Sequence, residues 1–205
     1  MRSSWWIGAP LAIIVCVWQL WGLWKQSAHY TEPAFPWGLA LVSPLVAATS
    51  AGQLAPHHGE FYHYAGELCF FLTFFTAIPR FLLYCYWTGT RPCGAAAGTA
   101  WIPIGVVGQS TAASTLLFDA HLYGLIMFTL AVPCVLYAMY CFYEAVLHWA
   151  PYGSGWWGST FPVGTLCLGA WDEGWQALSL ALLVLLLLHW GVCAVRFGSW
   201  ELSLC

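Results

Sequence analysis

The fold class that the 205-residue sequence predicts is an all-α membrane protein. It is a bundle of about seven transmembrane helices arranged as repeated hairpins, with proline-kinked inner helices. Three observations predict it. The composition is 61% apolar and 18% aromatic but only 6% charged, against about 25% charged in soluble domains. Mean hydropathy is +0.73, and the apolar residues fall in runs long enough to cross a hydrocarbon core of about 30 Å. Three of those runs each carry a proline, and the prolines are evenly spaced. Thirteen charges cannot build a water-facing surface, so a soluble enzyme domain is excluded. Five Lys and Arg in all leave no basic face for nucleic acid. Nine cysteines do not signal a disulfide module, because most lie inside apolar runs, where cysteine acts as a small hydrophobe.

The seven segments are 5–24, 36–54, 61–87, 99–117, 121–147, 158–171 and 175–197. The first carries Trp5, Trp6, Trp18, Trp21 and Trp24 and has no small-residue cleavage site, so it reads as a spanning helix and not a signal peptide. The second contains Pro44 followed by Leu-Val-Ala-Ala-Thr-Ser-Ala-Gly, the fourth Pro103 followed by Ile-Gly-Val-Val-Gly-Gln-Ser-Thr-Ala-Ala. The sixth, the shortest, contains Pro162 followed by Val-Gly-Thr-Leu-Cys-Leu-Gly-Ala. The prolines recur every 59 residues. The third, fifth and seventh segments are bulkier, rich in Phe, Leu and Tyr. The chain therefore reads as one transmembrane domain over 1–205, a repeated hairpin of one kinked, small-residue helix and one bulky helix. A proline frees a backbone carbonyl that lipid cannot satisfy, so the kinked helices belong inside. Small residues let them approach closely or leave a lumen.

Charge sets the orientation. With the C-terminus cytoplasmic and the N-terminus outside, Lys25, Arg80, Arg91 and Arg196 fall on the inner side, and Glu60, Asp119, Asp172 and Glu173 outside; Arg2 alone is misplaced. Glu67 and Arg80 share the third segment, too far apart to pair, and Glu67 calls for another partner or a proton. No acid lies in the middle of the second, fourth or sixth segment, which favours anions or neutral species over cations as a permeating species.

The residues now carry a resemblance. Gly155-Trp-Trp-Gly-Ser-Thr-Phe-Pro-Val-Gly-Thr165 resembles the penultimate-helix motif of the tellurite-resistance/C4-dicarboxylate transporter family, whose members include slow anion channels, malate transporters and sulfite efflux pumps. Trp101-Ile-Pro-Ile-Gly-Val-Val-Gly-Gln-Ser-Thr-Ala-Ala113 and Leu41-Val-Ser-Pro-Leu-Val-Ala-Ala-Thr-Ser-Ala-Gly52 resemble earlier helices of the same kind, in the family's order. The resemblance implies ten helices in five hairpins, a central pore lined by the odd-numbered ones, and trimers. The seven segments would match helices four to ten, with three unrepresented at the N-terminus. It implies transport of small anions (dicarboxylate, sulfite or inorganic anion) across the cell membrane, with Phe161 as the pore gate. The pore-lining candidates are Ser43, Pro44, Thr49, Pro103, Gly105, Gly108, Gln109, Ser110, Thr160, Pro162, Gly164 and Thr165.

Two alternatives stand beside transport. The missing helices fit a fragment, or a non-conducting or partner-dependent membrane protein. An intramembrane hydrolase would pair Ser110 with His121. No cofactor is called for. A retinal site lacks an intramembrane lysine, and a haem would have to use His63 and His189. His57, His58, Glu60 and His63 resemble a metal set in spacing but sit at a segment end, where interfacial histidine is common.

Overall fold

The computed structural model of the protein describes residues 2–25, 35–79 and 91–202. It is all-helical there, with seven α-helices: α1 Arg2–Trp24, α2 Gly38–His58, α3 Glu60–Ala77, α4 Ile104–Phe118, α5 His121–Leu147, α6 Thr160–Asp172 and α7 Gln176–Leu202. Each small-residue helix is entered through a 3₁₀ turn, at Phe35–Trp37, Gly94–Trp101 and Ser154–Ser159. Among the described residues, five stretches are long and apolar enough to span a membrane: Ser3–Gly22, Gly38–His58, Gly94–Phe118, His121–Leu147 and Gln176–Glu201.

Two expectations change. The sixth segment is not among those five; the third, expected over 61–87, is described only as far as residue 79. The described helix of the third ends at Ala77, and Arg80 with the rest of that segment lies outside the described residues. The α-helix of the sixth has only 13 residues and gains its length from the 3₁₀ turn continuous with it. The prolines also differ from three interior kinks. Pro44 lies inside α2, but Pro103 is the N-cap of α4 and Pro162 sits in the first turn of α6. A ring without an N–H is tolerated there, because first-turn amides have no intrahelical acceptor. Where the sequence pattern suggested kinks, two of the prolines mark the 3₁₀-to-α junction.

Backbone approach fixes the packing. A Cβ on Gly98 would lie 2.5 Å from the carbonyl oxygens of Gly155 and Trp156, so the two 3₁₀ turns touch where only glycine fits. One apolar cluster joins α1, α2 and α3 to Val106, Ala113 and Leu117 of α4. The other joins Ile104 and Val107 of α4 to α5, α6 and α7. α4 is thus shared by both halves of the core, and every residue from Ile104 to Ser114 is buried.

The turns have their own logic. α2 and α3 meet at Gly59, whose φ of 98° suits glycine. α4, α5 and α6 each end in a left-handed residue, Asp119, Trp149 and Gly174. Each is followed by an N–H that reaches back to the helix: Ala120 to Ser114, Ala150 to Ala145 and Trp175 to Ala170. The last two are the six-to-one bond of the Schellman arrangement, and the first reaches one residue further back.

Candidate functional site

The 59-residue spacing becomes a physical register. Thr49 of α2 meets Gln109 of α4, Gly105 of α4 meets Phe161 and Thr165 of α6, and Gly158 lies against Gly98. The partners are about one repeat apart, so α2, α4 and α6 run parallel, side by side. Their N-termini lie at one end of the bundle and their C-termini at the other.

Small residues and hydroxyls make these contacts. A Cβ on Gly108 would fall 2.3 Å from the Thr165 carbonyl, and one on Gly169 would fall 2.6 Å from the Gly108 oxygen. Gln109 donates its side-chain amide to Thr49 Oγ1 at 2.8 Å, and Thr49 donates to the Leu45 carbonyl at 3.0 Å. Thr165 donates to the Pro162 carbonyl at 2.8 Å and leans on the Gly105 carbonyl at 3.3 Å. Thr165 thereby covers a carbonyl oxygen at the entry to α6.

Of the other sequence candidates, Ser110 donates to Val107 and Thr160 to Trp157, each within its own helical stretch. Pro44, Pro103 and Pro162 are buried. Gly164 faces Leu186 of α7. Ser43 donates to the Ala12 and Ala40 carbonyls and opens onto a groove of about 950 Å³ between α1 and α2, which Ser4, Gly8, Ser50 and Gln53 also line. Phe161 is 40% exposed, and its ring covers Gly105: a Cβ on that glycine would lie 3.3 Å from Phe161 Cε1.

Charge collects at the two ends. At the C-terminal end of α4 and α6, the Glu173 side chain is 1% exposed and accepts from Thr115 Oγ1 at 2.7 Å. His121 Nδ1 lies 2.8 Å from Glu173, and its Nε2 3.2 Å from Asp119. His121 is therefore committed to carboxylates, and Ser110 to its own helix, so no serine–histidine pair forms. At the opposite end Arg91 pairs with Glu144, and Arg196 donates to the Ala150 carbonyl.

Glu67 finds a partner in His63, 3.1 Å away one turn back. His189 is fully buried, 3.1 Å from the Tyr143 hydroxyl and packed on Trp101 and Phe142. His63 and His189 are thus engaged separately and do not form a haem pair. His57 and His58 end α2, while Glu60 and His63 begin α3 beyond the Gly59 turn. Sequence reasoning used Glu173 only as a topology marker; its burial depends on Gly124, which leaves the space it fills. The one visible signal for His189 was a histidine inside an uninterrupted leucine run.

A family profile described as voltage-dependent anion channel (SLAC1) matches residues 1–197. No curated protein and no solved structure matches the chain significantly.

Proposed function

The chain belongs to the voltage-dependent anion channel family, a family of channels and transporters and not of enzymes, and we propose that it passes small anions along the faces of α2, α4 and α6, with Phe161 lying across the path. Membership carries anion transport in general and residence in a membrane. The choice of Phe161 as gate is our reading. The observation that carries it is the Phe161 ring over Gly105: a bulky side chain, partly exposed, rests on the one residue type that leaves room beneath it.

Electrostatics supports the choice of anions. Three parallel helices present their N-termini, and hence their positive dipole ends, at one mouth. Along α2 and α4 there is no Asp, Glu, Lys or Arg, and α6 has only Asp172, at its far end. Anions would be held by amide and hydroxyl dipoles, weakly enough to leave. Dicarboxylate, sulfite and inorganic anions all fit such a lining. In this reading the whole chain forms one membrane unit in the cell membrane with its C-terminus cytoplasmic, and copies assemble as trimers.

The test is anion flux into vesicles carrying the purified protein, with chloride, sulfite and malate as probes. Phe161→Ala raises flux if the ring occludes the path; unchanged flux removes Phe161 from the mechanism. A second reading has its own observation. The groove between α1 and α2 is lined by Ser43, Ser50 and Gln53; the two hydroxyls donate to backbone carbonyls, which leaves the Gln53 amide as the group that is costly against lipid. On that reading the chain needs a partner helix there, and the protein alone gives no flux with or without Phe161.

A further inference from the structure

A different groove lies on the outer face of the bundle, between the end of α5 and α7. It encloses about 390 Å³ and is lined by Val146, Leu187, Gly191, Val195, Trp149 and Arg196 among others. The α7 residues recur at three- and four-residue intervals and so form one stripe. From Leu187 to Val195 the stripe rises about 12 Å, close to the ~15 Å of one leaflet's hydrocarbon. Gly191 keeps it open, since an added Cβ there meets nothing within 4 Å.

The mouth is built differently from the floor. Arg91 has Glu144 as its partner, but Arg196 has no carboxylate within ion-pair distance among the described residues. Its guanidinium stands 4.7 Å from the Trp149 ring and 5.1 Å from the Trp156 ring, and donates to the Ala150 carbonyl. Its Nε is buried without an acceptor. The cation is thus held in place, the buried Nε facing the protein, and its charge is uncompensated among the described residues.

Trp149 gives a second, independent sign. It occupies the left-handed position that ends α5, with φ 48°, where glycine is the usual residue. A bulky side chain there is strained, and such strain persists where the surroundings impose it. Here it sets an indole beside both the groove and the guanidinium, and tryptophan is the residue that membranes favour at the headgroup level.

We propose that this groove seats one acyl chain of an anionic phospholipid, whose phosphate lies on Arg196. Charge complementarity selects this occupant. A free anion would leave the apolar stripe uncovered, and a zwitterionic lipid, though it has the same phosphate, would set its own cation beside the Arg196 guanidinium. A guanidinium held between rings is suited to a phosphate's paired oxygens. The site is on the lipid-facing side and separate from the Phe161 path, so it neither needs nor tests the gating reading.

The experiment is native mass spectrometry of the purified protein equilibrated with equal amounts of phosphatidylcholine and phosphatidylglycerol. The wild type retains phosphatidylglycerol preferentially. Arg196→Gln lowers that preference about fivefold, the loss expected for one arginine at an anionic surface, while Arg91→Gln keeps it. Gly191→Leu fills the floor and lowers retention of phosphatidylglycerol. Trp149→Gly relieves the strained backbone, so the thermal midpoint holds or rises while the preference falls. Inorganic phosphate leaves the thermal midpoint where it was. The proposal is overturned if Arg196→Gln retains the preference, if Arg91→Gln loses it equally, or if Gly191→Leu and Trp149→Gly both bind lipid as the wild type does. It is also overturned if inorganic phosphate stabilises the protein as the lipid does.

Discussion

Glu173 occupies the space that a side chain on Gly124 would need: a Cβ there would lie 2.2 Å from Glu173 Oε1. The pocket that buries this carboxylate is therefore made by an absence on α5. Gly124→Ala displaces the carboxylate and breaks its contacts with Thr115 and His121. The expected cost is about 1–3 kcal/mol, read as a lower thermal midpoint in detergent. Glu173→Gln keeps the shape and the Thr115 contact and costs less. Equal effects from the two substitutions would refute this account.

The contact between α4 and α6 has no flexible part to give way. At Gly108 the obstacle is the backbone of Thr165 and Leu166, 2.3 Å from an added Cβ. Gly108→Ala thus separates the helices, at a cost of about 3 kcal/mol or more. Gly164→Ala faces only the Leu186 side chain at 3.7 Å and leaves the midpoint nearly unchanged. Measuring both on one protein separates helix propensity from packing.

Gln109→Leu removes the 2.8 Å bond to Thr49 without orphaning it, because Thr49 still donates to Leu45. The expected loss is about 1 kcal/mol. Thr49→Val strands the Gln109 amide instead and costs more. The order of the two thermal midpoints is the check.

If the Phe161 ring blocks the path, its place can be refilled from the neighbouring helix α4. An added Cβ on Gly105 points at Phe161 Cε1. On the background of Phe161→Ala, Gly105→Phe is expected to return the raised vesicle flux toward the wild-type level. Flux that stays raised in a folded double variant would argue against occlusion by a ring at this place.

Periodicity was the most legible part of the sequence. The spacing of Pro44, Pro103 and Pro162 reappears as contacts between residues about one repeat apart, such as Gly98 with Gly158. The division into small-residue and bulky helices reappears in burial, with α4 enclosed and α7 largely open. What stayed illegible depends on distance or on local backbone. Proline has a fixed φ and no N–H whether it sits mid-helix or in a first turn, so the 3₁₀ entries could not be told from kinks. Glu173 and His121 are 52 residues apart in sequence, and no local pattern joins them. The left-handed Asp119 and Trp149 are not glycines and gave no sign. Among the site candidates, Thr49, Gln109, Gly105, Phe161 and Thr165 come together between neighbouring helices, while Ser43 opens to the α1–α2 groove.

The enclosure of α4 bears on how the chain is made. Its stretch is 83% buried within the bundle, against 28% for α5 and 17% for α7. Released alone into lipid during translation, α4 would expose Gln109, Ser110, Thr111 and Ser114 to hydrocarbon, and its glycines would gain no packing in return. α5 and α7 suffer no such penalty, being apolar around most of their circumference. The membrane-insertion machinery therefore has reason to hold α4 until α5 emerges and to release the two as a pair. Chains cut after Phe118 and carried on a linker long enough to clear the ribosome should remain crosslinked to that machinery, and chains cut after Leu147 on the same linker should not.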